Sequence, residues 1–245
     1  DKISTYIWDG KISYKIDNIR IDDQGENFEL VDFKGEYTLD FDRGKNILST
    51  GGEVKIDSLA VGNKVVKDTF FRLDANNIDA QGYEEFMKLY TQAAYSVMDE
   101  MVAAKEDPDQ INKVLGDQMA TIGFQMMVAC EKILKKGLEF KISDLHAQLD
   151  EGRIAGNMEL KLNQDVTFIQ LATIATQPDL AFDILALQSD LSLPAKLVGD
   201  STMLVSPVYQ GMQTGLFEED GESLVHMAQT KNGKLFLNGK EVIFN

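Results

Sequence analysis

The chain has 245 residues, 44% of them hydrophobic, enough to bury a core, and its 40 acidic against 24 basic side chains give a formal charge of -16. Such a balance excludes nucleic acid as a partner, because phosphate binding needs a basic surface. The single cysteine, Cys130, excludes a disulfide framework, and the sequence has no apolar run of roughly 18 residues that could cross a membrane as a helix. The chain starts at Asp1 without a methionine, and the expectation is that this N-terminus has been trimmed.

Residues 1–80 read as a β-meander. Ile3 to Trp8 and Lys11 to Ile21 flank Asp9-Gly10, a two-residue hairpin signal. Further turns are expected at Asp22 to Asn27 and at Asp42 to Lys45, with a glycine-rich break at Gly51-Gly52. A pattern repeats. Tyr14 to Ile21 recurs 40 positions later as Val54 to Val61, and more loosely as Phe140 to Ala147. Each copy alternates, slips by one residue at Asp17-Asn18, Asp57-Ser58 or Ser143-Asp144, then resumes. A slip would turn every later side chain to the wrong face unless an extra, bulged residue restores it and bends the strand. The repetition predicts a long sheet that curves.

Gln81 to Gly137 reads as a helical hairpin. Tyr83, Phe86, Met87, Tyr90, Ala94, Val97, Met98 and Met101 recur at helical spacing and form one stripe. Asp107-Pro108 suits an N-cap followed by a first-turn proline. Ile111, Val114, Leu115, Ile122, Met126, Cys130 and Ile133 make a second stripe, closed by Lys135, Lys136 and Gly137. Beyond it, Leu138 to Leu149 and Arg153 to Leu162 read as a hairpin across Asp150-Glu151-Gly152, and Val166 to Thr176 as a short helix. A strand is expected within Ala181 to Leu193, and short helical pieces over Pro194 to Val198 and Pro207 to Gly215. The tail is strand again, Ser223 to Thr230, then Leu235 and Leu237 after a turn at Asn232-Gly233, then Val242 to Phe244 after a turn at Asn238-Gly239.

Gly211-Met212 through Leu216-Phe217, the strand Leu224 to Gln229, and the run Asn232-Gly233-Lys234-Leu235-Phe236-Leu237-Asn238-Gly239-Lys240 together resemble the C-terminal end of the YdgA-like family of bacterial envelope proteins of unknown function. Gln81-Gly82-Tyr83 and Leu191-Ser192-Leu193-Pro194 fit the same pattern. The resemblance implies a domain in the periplasm, anchored in the inner membrane by a segment that lies outside this chain. It brings no catalytic residues with it.

No motif for phosphate binding, dinucleotide binding or HExxH metal chemistry occurs. His146 and His226 each alternate with apolar neighbours and are expected on a solvated face. Neither has metal-ligand spacing around it, and no cofactor or metal is expected. Asp40 to Asn46 and Glu218 to Glu222 read as acidic turns rather than calcium loops. Six of the ten methionines lie in the helical hairpin. Met is unbranched and polarizable, so Met98, Met101, Met119, Phe124, Met126 and Met127 are a candidate surface for an apolar ligand or partner. Ordinary core packing is the competing reading, and a sealed core is favoured.

The expected fold is therefore α+β: a long, curved antiparallel sheet packed on a helical hairpin, with short C-terminal helices. The expected organisation is one elongated domain over 1–245, divided at 80 and 137. The expected role is non-catalytic, a structural or interaction module of the envelope that self-associates or binds another envelope protein. The alternative is a carrier that holds a lipid between sheet and helices. A hydrolase assembled from distant residues is a third reading.

Overall fold

The structure is a computed structural model that describes residues 2–23, 26–103, 122–197, 208 and 210–243. Four long strands come first: β1 (Gly10–Asp23), β2 (Glu26–Asp42), β3 (Ile47–Val61) and β4 (Lys64–Asp79). Helix α1 (Ala80–Ala103) follows, and helix α2 spans 122–133. Then come β5 (Glu139–Leu149), β6 (Gly152–Leu162), α3 (Phe168–Thr176), α4 (Ala181–Ile184) and β7 (Leu185–Pro194). The chain closes with β8 (Glu218–Asp220), β9 (Ser223–Lys231), β10 (Lys234–Leu237) and β11 (Lys240–Glu241). Among the described residues, all eleven strands form one antiparallel sheet in the order β1 to β7, then β9, β10 and β11, with β8 also on β9.

The slips in the repeat are real interruptions of the ladder. Pairing skips Asp17 with Asp32 and Asp57 with Asp68, and the register shifts between Ile142 and Leu145. Asp32 (φ 52°) and Asp68 (φ 46°) lie in the left-handed region, a conformation that Asp tolerates better than most residues. The interruptions at Asp17, Asp32, Asp57 and Asp68 lie side by side across β1 to β4, so the sheet bends there along a row, whereas that of β5 lies opposite Arg72 and Leu73.

The fold class differs from the expectation. This is a sheet-dominated fold, and the sheet does not pack along a helical hairpin. Among the described residues, α1 and α2 meet the sheet at their bases. Tyr83, Ile133 and Leu134 pack against a core of Ile7, Leu48, Ile78, Ala80, Leu138, Leu162, Val166 and Ile184. Asp79 accepts a hydrogen bond from the Gly82 amide at 2.7 Å and starts α1 there. Gly82 leaves room for Lys132 and Ile133 of α2, and Glu85 binds Lys132. At about 100° per residue, Tyr90 points within about 20° of Tyr83, yet Tyr90 is 54% exposed. The apolar stripe therefore leaves the core within two turns. Strands this long extend well past a core placed at one end, which is why a buried stripe does not follow from the helical periodicity.

Two turn assignments also change. Asp9-Gly10 does not join two strands: Lys2 bridges Trp8, and β1 starts afresh at Gly10 beside β2. Gly51 and Gly52 lie inside β3. The turn between β3 and β4 is instead Gly62-Asn63, with Gly62 at φ 61°, a two-residue hairpin signal present in the sequence. The Asp107-Pro108 start of the second helix, with Ile111, Val114 and Leu115, lies outside the described residues.

Candidate functional site: one apolar face of the sheet

The ladder pairings put successive residues in rows across the sheet. One row runs Tyr14, Gly35, Val54, Phe71, then Leu145, Gly156, Leu191 and His226. The next runs Ile12, Tyr37, Gly52, Leu73, then Ile142, Met158, Ser189 and Ala228. Partners in an antiparallel ladder share a face, so these two rows form one surface over eight strands. At about 4.8 Å per strand it is roughly 34 Å long. The glycines in it are gaps that neighbours fill: the Tyr14 ring lies over Gly35, and the Leu191 side chain over Gly156.

Intervening positions turn to the other face, which is charged. There Lys11 pairs with Glu36 at 2.5 Å, Arg72 with Asp74 at 3.1 Å and Glu53 at 3.6 Å, and Lys141 with Glu159 at 3.8 Å. Among the described residues, the apolar face is closed at its core end and, on β9, at Leu224 and Ala228, which are 1% and 3% exposed. Leu39 is 2% exposed, whereas Tyr37, one step along the same face, is 38% exposed even with Trp8 packed on its ring. Farther out, Ile12 reaches 55%, Tyr14 50% and Leu73 42%. Burial pushes the Tyr83 phenol of α1 above its ordinary value, with Tyr37 adding to the effect, which marks where the helix base meets this face.

Toward β7 and β9 the face deepens into a cavity of about 220 Å³ lined by Ile142, Leu145, Met158, Leu191, Ser189 and His226. His226 is thus on the apolar face, not the solvated one that alternation suggested. Val225 and Met227 are the residues turned away. The His226 Nδ1 lies 2.9 Å from the Leu216 carbonyl, and its Nε2 lies 2.9 Å from Ser189 Oγ. A carbonyl only accepts, so Nδ1 carries a proton, and in the neutral ring the Ser189 hydroxyl donates to Nε2. This is the polarity of a serine and its general base. An acyl-transfer site also needs free N–H donors for the oxyanion. Here β7 is flanked by β6 and β9, whose ladders take up its backbone groups.

His146 does lie on the face opposite Leu145, as read, but it is not freely solvated. Its ring stacks on Phe70, and its Nδ1 sits 2.8 Å from Asp144. Asp68, 3.7 Å from Nε2, also binds Arg153 at 3.2 Å. Of the candidate surface on the helices, Phe124 is 68% and Met98 61% exposed, and Met126 and Met127 are half-buried. Met101 and Met119 lie outside the described side chains. A hairpin sealed throughout is therefore not what the described residues form. Among them, no group of three His, Cys, Asp or Glu is placed to hold a metal, and no helix is long and apolar enough to cross a membrane. Asp42 in the first acidic turn accepts from the Gly44 and Lys45 amides, and Glu218 in the second belongs to β8 and binds Lys240 at 2.6 Å.

The paired rows are a candidate surface that sequence reasoning missed. Alternation showed each strand to be two-faced, but only the register stacks Tyr14 through His226 into one line. The chain belongs to a bacterial family of proteins of unknown function, DUF945, whose model matches residues 1–243. No curated protein and no solved structure matches it.

Proposed function

We propose that the apolar face holds the extended tail of a lipid or similar amphiphile. The observation that carries this reading is the contrast between the two faces: ion-paired on one side, and on the other a continuous apolar surface with Ile12, Tyr14, Tyr37 and Leu73 open to water. Apolar area of this extent favours an occupant, at about 25 cal/mol per Å² removed from water. The Ser189–His226 pair gives the far end a polar group for a headgroup, while the occupied backbone of β7 supports binding over acyl transfer. The YdgA-like resemblance adds a compartment to the proposal: a periplasmic domain tethered to the inner membrane by a segment outside this chain. A fusion to a reporter enzyme that is active only after export tests that part.

Native mass spectrometry of the chain mixed with a phospholipid tests the binding. The wild type is expected to carry a lipid adduct. Leu73→Asp should fold normally, because its side chain already meets water, and lose the adduct. Lys55→Ala, on the charged face, should keep it. Equal adducts on all three, or none on the wild type, would refute the proposal.

A further inference from the structure

We propose that β1 pairs edge to edge with β1 of a second copy, antiparallel about a two-fold axis at Ile16, so that two sheets become one. Among the described residues, β1 is a 14-residue strand with a strand neighbour on one side only. Long open edges are normally shortened, bulged away or covered. This one carries three exposed apolar side chains, Ile12 (55%), Tyr14 (50%) and Ile21 (55%).

The sequence of β1 is self-complementary in that register. Its apolar positions are Ile12, Tyr14 and Ile16 before the interruption at Asp17, and Ile19 and Ile21 after it. Reversed against itself, Ile16 meets Ile16 of the second copy, Tyr14 meets its Ile19, and Ile12 meets its Ile21. Against β2, Asp17 faces Asp32 one to one; against the second copy, Asp17 and Asn18 together lie opposite Lys15, one residue extra, which is the geometry of a bulge. Without that extra residue the same reversal would set apolar positions against polar ones.

Charge agrees with the register. Lys15 comes opposite Asp17 and Asn18 of the second copy, and Lys11 opposite its Asp22. The whole chain has a charge of -16, which opposes self-association, but β1 holds Lys11, Lys15 and Arg20 against Asp17, Asp22 and Asp23 and is neutral. Basic residues on an edge are a common guard against pairing. A guard needs no matching carboxylates at mirror positions, and here two of the three cations have them. Pairing would also join the apolar faces of the two copies at Tyr14 and Ile12.

The test uses the full chain. Sedimentation equilibrium is expected to give a dimer. Replacing Ile12 and Ile21 by Lys together should raise its dissociation constant at least about tenfold. Lys15→Asp and Asp17→Lys should each weaken it, and the two combined should restore it. In a Cys130→Ser background, Ile16→Cys should form a disulfide-linked dimer under mild oxidation, since ladder partners lie about 4.5–5.5 Å apart, within disulfide reach. Val61→Cys, exposed but away from the edge, should not. Circular dichroism confirms that each variant is folded. A monomeric wild type, a dimer indifferent to both the lysine pair and the charge swap, or an Ile16→Cys chain that cross-links no faster than Val61→Cys would overturn the proposal.

Discussion

Cys130 sits half-buried on α2, and its surroundings raise the thiol above its ordinary value because burial disfavours the thiolate. A maleimide should label it several-fold more slowly in the folded chain than in urea, as mass spectrometry over time would read. Equal rates would mean that α2 opens freely. Lys132 and Glu85 join the bases of the two helices, and the Lys132 hydrogen bond holds the Glu85 carboxyl below its ordinary value of 4.5. A depressed folded value means that the stabilisation is fully present above pH 4.5 and fades as pH falls through the lower folded value. Both side chains are 40% exposed, so the pair contributes about 0.5 kcal/mol at most. Glu85→Gln should lower the melting temperature slightly at neutral pH, with the difference vanishing in acid. A difference that grows in acid would contradict the assignment.

Strand kinks give the sheet its shape. Asp32 at φ 52° is the clearest, since it lies in the middle of β2 with its carboxylate near Lys15 and Lys34. Asp32→Val should cost about 1–2 kcal/mol, because a β-branched residue resists the left-handed region. Asp32→Gly should cost less, since glycine enters that region without strain. Urea midpoints of the two variants decide it, and equal losses would move the cause from backbone to ion pair. The kinks were legible in the sequence because a slip in alternation is a local signal. The β5–β6 hairpin and the Asn232-Gly233 and Asn238-Gly239 turns were legible for the same reason: turn residues act where they stand. The place where α1 leaves the core was not. Tyr83 and Tyr90 occupy the same stripe, and only the position of the core in space makes one half-buried and the other exposed.

At the scale of the molecule, the core lies at one end of a long sheet and the apolar face continues beyond it. Composition could not show this, because 44% hydrophobic content is as consistent with a filled interior as with an open face. The candidate surface on the methionine-rich helices followed from counting side chains along one element. The rows from Tyr14 to His226 depend on pairings between residues far apart in sequence, which no local pattern contains. Photolabelling with a fatty acid that carries a diazirine at the end of its chain, followed by peptide mapping, tests the central claim most directly. Saturable labelling is expected on apolar-face residues in β4 to β7, among them Leu73, Ile142 and Met158, and none on the charged-face residues Lys55, Arg72 and Lys141. Labelling spread over both faces, or confined to the helices, would contradict it.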